Sequence, residues 1–138
     1  MSFLKKMFQP KPQIDVRDVL NGIKYEGGTK FAANETNHIF VDIEELGGFP
    51  YLKTVIIGDT KLKVKRTGCK INFVLKNEVI TLESDNTDIA SNQIKNSPAH
   101  FTEIDFELKN DEAKKIKTGK IKEVQYEFKK EVFSFKTI

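Results

Sequence analysis

Chemistry near neutral pH rests first on histidine and cysteine, and here these are His38, His100 and Cys69 alone. His38, Asp42 and Glu44 recur at even spacings, which puts them on one face of an extended segment. A zinc or similar site needs three or four donors converging on one ion. Donors two residues apart on a strand stand about 6.6 Å apart, at about 3.3 Å per residue, so neighbours of this kind do not chelate one ion unaided. His100 would have to arrive from another strand, and no metal or cofactor is expected.

Cys69 lies between Gly68 and Lys70. A nucleophilic cysteine needs a positioned base, and neither histidine is near it in sequence. The Gly-x-Ser-x-Gly elbow is absent. Glu103, Asp105 and Glu107 suggest paired carboxylates, but acid catalysis needs two carboxyls in different environments. Three acids in strict alternation instead meet solvent or lysines. Asp85, Asn86 and Asp88 offer oxygen donors without the glycine and distal glutamate of a calcium loop. Gly27-Gly28 and Gly47-Gly48 lack the spacing of phosphate-binding loops. No catalytic residue is assigned, and the chain is not expected to be an enzyme.

Contact chemistry is better represented. Phe49 and Tyr51 flank Pro50, and aromatic side chains make strong anchors for a protein partner. Lys61, Lys63, Lys65 and Arg66 are candidates for an anionic partner. No aromatic residue lies among these lysines in sequence, so the stacking platform of a single-strand binder is missing and nucleic acid is not the expected ligand. Phe3, Leu4, Lys5, Lys6, Met7 and Phe8 could contact a membrane surface or a partner, with lysines in water and apolar groups inserted.

These residues need a scaffold, and the sequence supplies strands. In Thr60–Arg66, Leu62 and Val64 alternate with Lys61, Lys63 and Lys65, a period of two that separates an apolar face from a charged one. The same alternation places Ile39, Val41 and Ile43 together, then Ile71, Phe73 and Leu75, then Ile104, Phe106 and Leu108, then Val124, Tyr126 and Phe128. Gly58-Asp59 has the form of a two-residue hairpin turn. Gly47-Gly48-Phe49-Pro50 reads as a loop, and Ser84–Pro98 as a long mobile loop. Ile14–Ile23 suits a short helix. Asn110 suits an N-cap, with Asp111 and Glu112 in the first turn and Gly119 ending the helix.

The expected fold class is all-β with minor α: an antiparallel β-sandwich or partly open barrel of seven or eight strands, with a short helix before the C-terminal hairpin. The solvent-facing lysines favour the sandwich. Residues 1–13, with Pro10 and Pro12, read as a flexible tail, and residues 14–138 as a single β domain. The 38% hydrophobic share and 11 phenylalanines suit a folded core. No run reaches the roughly 18–20 apolar residues that span a bilayer. Met1–Phe8 lacks the longer apolar stretch of a signal peptide, and one cysteine forms no internal disulfide, so a cytoplasmic setting is expected.

The formal net charge of +3 hides segregation. Residues 59–77 carry six basic groups against Asp59, residues 78–112 carry nine acids against two lysines, and residues 113–138 carry eight lysines against three acids. Such blocks are expected to pair across the sheet. The leading functional expectation is a non-catalytic binding or accessory module whose partner is another protein. The alternatives are a basic β domain on an anionic surface, nucleic acid or membrane, and a barrel holding a small apolar ligand among its phenylalanines.

Overall fold

A computed structural model describes residues 14–138. The longest ladder joins β2 (Asn37–Leu46) to β3 (Phe49–Gly58), in register from Leu46↔Phe49 to Asn37↔Gly58. Gly47 and Gly48 connect them with φ of 60° and 86°. Positive φ at both central residues matches the twist of the flanking strands, and only glycine adopts it without strain. The connection is therefore a two-residue turn, not the longer loop expected, and Phe49 and Pro50 belong to β3.

The outer edge of β2 takes β1 (Thr29–Ala33), with a bulge between Lys30 and Ala32. Beyond it follow β11 (Val132–Thr137), β10 (Glu123–Glu127), β5 (Lys70–Val74) and β6 (Val79–Glu83). The other edge of β3 takes β9 (His100–Glu107), and β9 carries the short β8 (Asn92–Gln93). All nine strands are antiparallel to their neighbours. The sheet curls until Ser84, just past β6, bridges to Phe106 of β9. The described residues thus form a partly open barrel built from one sheet, and 49% of them are strand against 11% helix. β4 (Lys63–Val64) and β7 (Ile89–Ala90) form a separate two-strand ladder.

The inward faces follow the period of two. Ile39, Leu52, Ile71, Phe73, Ile104 and Phe106 have no more than 0% exposure. Aromatic rings fill the centre: Tyr126 meets Phe135 edge-on at 6.0 Å, and Phe31 meets Phe73 at 6.0 Å. Among the described residues the interior is packed by the chain's own side chains.

Among the described residues, two helices cover the barrel. α1 (Val16–Leu20) is capped by Asp15, whose Oδ1 accepts from the Arg17 N–H at 2.9 Å. Val16 and Leu20, four apart, are buried, whereas Ile14 is 60% exposed. The helix is shorter than the expected Ile14–Ile23. Leu20 packs with Phe40, Val55 and Ile57 on the outward face of β2 and β3. α2 (Asn110–Thr118) lies at the end of the barrel where the β2–β3 turn is, and buries Ala113 and Ile116. Lys109, not Asn110, is its N-cap, and its N–H donates to Glu112 Oε1 at 2.9 Å. That end is called the helix end below.

The opposite end is closed by chain segments. Gly58-Asp59 does not make the expected hairpin. The Asp59 N–H donates to Thr36 O at 3.1 Å, and both edges of β3 are already taken by β2 and β9. A Cβ at Gly58 would overlap the Thr36 carbonyl and the Asn37 side chain, so glycine permits a close approach here. Residues 59–68 then cross the barrel end as a strap, of which only Lys63–Val64 is strand. Ser84–Pro98, expected as a mobile loop, contains β7, β8 and the Ser84–Phe106 bridge.

Candidate functional site

Of the residues that suggested catalysis, Cys69, Asn86 and Asp88 are tied into the fold by hydrogen bonds. Cys69 is buried, and burial pushes its thiol up to about 12, with the Ser84 hydroxyl pulling the other way. Little thiolate forms at neutral pH. Burial lowers the His38 imidazole, with Lys30 adding to the effect. His100 has a buried Nδ1 without a hydrogen-bond partner. Among the described residues no three metal-ligating side chains converge. Asn86 Oδ1 accepts from the Asp105 N–H at 2.8 Å and ties its loop to the sheet, while Asp88 Oδ1 accepts from the Arg66 N–H at 2.8 Å and ties that loop to the strap.

Glu103, Asp105 and Glu107 lie on the outward face of β9, and Asp105 is in register with Lys53 of β3. Burial first, then the Glu103 charge, raises the Asp105 carboxyl above the ordinary value. Burial and the nearby Asp105 and Asp85 push the Tyr51 hydroxyl up to about 12. The acids do not pair with Lys61, Lys63 and Lys65, because β4 pairs with β7 rather than β9. The ion pairs among the described residues are Arg17–Asp15 and Lys115–Glu78.

Two surfaces offer contact instead. At the helix end, the β2–β3 turn sets Leu46 beside Phe49 across the ladder. They are 56% and 74% exposed, unusual for such side chains. A cleft of about 420 Å³ opens beside them over Pro50, Tyr51, Glu107 and Leu108. Tyr51 is half-buried and its hydroxyl donates to Asp85 Oδ2 at 3.4 Å, so it walls the cleft while Phe49 projects. Leu46 is absent from the sequence-based candidates. Its signal was the Leu-Gly-Gly-Phe run, which in a two-residue turn forces the flanking residues into a pair.

At the strap end, Lys61, Lys63 and Lys65 are exposed while Leu62 and Val64 are half-buried against the core, as the alternation implies. Arg66 turns the chain with φ of 70°. Opposite the strap stands the β10–β11 turn, closed by the Phe128 N–H donating to Glu131 O at 2.8 Å. Between them runs a cleft of about 530 Å³, with Phe128, Lys129 and Lys130 on the turn side. It continues into a space of about 820 Å³ bordered by Thr67, Lys70 and Glu83. An aromatic ring therefore does lie among the lysines, against the expectation from sequence. Phe3, Leu4, Lys5, Lys6, Met7 and Phe8 fall outside the described residues. No described helix is long and apolar enough to cross a membrane. No family model, no curated protein and no solved structure matches this chain.

Proposed function

We propose that the domain is a non-catalytic binding module that engages another protein through the β2–β3 turn. The observation that carries this is the exposure of Phe49, 74%, paired with Leu46 beside an apolar cleft. An apolar pair held out on a rigid ladder loses little side-chain freedom on binding, and aromatic anchors of this kind supply much of the energy of an interface. Glu44 and Glu107 flank the pair, so the partner surface is apolar with a basic rim.

A photoreactive residue at Leu46, in cells that make the chain, identifies the partner. Titration of that partner against Phe49→Ser then tests the reading. The expected result is a weakening of about tenfold or more with the fold retained. Undiminished affinity would place the contact elsewhere.

A further inference from the structure

The cleft at the strap end is built by segments more than 60 residues apart in sequence. Five lysines line it, Lys61, Lys63 and Lys65 from the strap and Lys129 and Lys130 from the turn, against Glu131. None of the five is in an ion pair among the described residues. Lys70, on the border of the adjoining space, differs from them, because Glu83 and Glu127 sit beside it in register on both neighbouring strands. The charge of the five lysines is thus open to a ligand.

Phe128 adds a second kind of contact. Its ring is half-buried and held edge-on by Phe133, with centroids 5.7 Å apart. A ring fixed in this way presents itself without further ordering on binding. Lysines that follow a chain of phosphates, with an aromatic face between them, are the combination used by single-strand binders. Lys61, Lys63 and Lys65 recur about 6.6 Å apart along an extended run, at about 3.3 Å per residue. That repeat suits the phosphates of an extended strand.

We infer that the cleft between the strap and the β10–β11 turn binds single-stranded nucleic acid, with the lysines on its phosphates and one base against Phe128. Recession of the ring disfavours the other polyanions. A duplex is read by an element that enters its groove, and here the surface is concave. A membrane meets protruding groups, and Phe128 does not protrude. The outward face of β2, β3 and β9 carries Asp42, Glu44, Glu103, Asp105 and Glu107. This acidic face repels the same ligand and steers it to the strap end.

Fluorescence anisotropy with a labelled twelve-base oligothymidine tests the inference, with the matching duplex and a poly-glutamate peptide as comparisons. Micromolar binding of the single strand at low salt is expected, tighter than either comparison. Replacing Lys61, Lys63 and Lys65 with glutamine should flatten the logarithmic salt slope by about 2, from a loss of about 0.7 per phosphate contact. Phe128→Leu, which keeps an apolar group against the core, should weaken binding about tenfold and leave the slope unchanged. Lys129→Gln with Lys130→Gln repeats the charge test on two exposed side chains outside the core. Circular dichroism of each variant confirms its fold. Absence of binding at low salt overturns the inference. So does poly-glutamate binding equal to the oligonucleotide with no effect of Phe128→Leu, which would make the cleft a site for acidic protein segments. The result is independent of the β2–β3 turn, because Phe49→Ser should leave oligonucleotide binding intact.

Discussion

The two ends of the barrel are closed by different forces. At the helix end, α2 buries Ala113 and Ile116 to 6% and 3% exposure, and the closure is apolar. At the strap end, Leu62 and Val64 stay half-buried, and the closure is polar. Asn37 Oδ1 accepts from the Thr60 N–H at 3.0 Å and the Thr60 hydroxyl at 2.7 Å, while Asn37 Nδ2 donates to Asp59 at 2.9 Å. Ser91 Oγ accepts from the Leu62 N–H at 2.8 Å. Apolar burial is non-directional and scales with area, so a helix can be sealed by one face. Hydrogen bonds position the backbone and leave the side chains of a strap turned outward. The difference explains why the lysines of the strap are open to a ligand.

If this contrast is right, the largest loss should come at the helix end. Ile116→Ala should cost about 2–5 kcal/mol by removing a buried side chain, and Leu62→Ala, half-buried, clearly less. Urea denaturation measures both, and equal losses would erase the distinction between the ends.

Asn37→Ala should cost about 2–3 kcal/mol, since it leaves the buried Thr60 N–H and hydroxyl without their acceptor. The same denaturation experiment reads it. Asn37→Asp combined with Asp59→Asn should retain more stability, because a carboxylate oxygen at 37 still accepts from Thr60 while an amide at 59 donates to its other oxygen. If alanine and this exchange behave alike, the strap is not held by this acceptor.

Inside the barrel, the Tyr126 hydroxyl is fully buried beside the Thr54 hydroxyl, which gives its own proton to the Ile104 carbonyl at 2.7 Å, so no partner meets the Tyr126 hydroxyl in good geometry. Tyr126→Phe removes that unmet group and keeps the ring packing, so it should stabilise by about 1 kcal/mol. A fall in the thermal midpoint would show that the hydroxyl is satisfied in solution.

Between the two ends, Asp105 should give the outward face a pH dependence. Its carboxyl is raised in the folded chain, so the folded state holds this proton more tightly than the unfolded one. Its contribution is neutral below the unfolded value, near pH 3.8 for the ordinary carboxyl, and turns destabilising as pH rises through the folded value. Asp105→Asn should therefore melt higher than the parent chain at pH 7 and lose part of the fall in midpoint between pH 4 and 7. An unaltered slope would assign the effect to another group. The smallest change belongs to the strap lysines: glutamine at Lys61, Lys63 and Lys65 should move stability by no more than about 0.5 kcal/mol in denaturant titrations. A larger loss would make those lysines part of the closure.

What the sequence determined by itself was local. The period of two is a property of the extended backbone, so it assigned Ile71 and Phe73, Ile104 and Phe106, and Val124 and Tyr126 to the interior without any knowledge of their neighbours. It also placed Lys61, Lys63 and Lys65 outside and a helix before the last hairpin. Strand order was decided only in the tertiary structure, because pairing depends on which edges remain free. Gly58-Asp59 has the chemistry of a hairpin turn, yet β2 and β9 occupy both edges of β3, so the following strand had to leave the sheet and find Ile89–Ala90. That departure carried the lysines across the barrel end to Phe128. A ring and a charge separated by more than 60 residues meet through the closure of the sheet, and no local pattern records it.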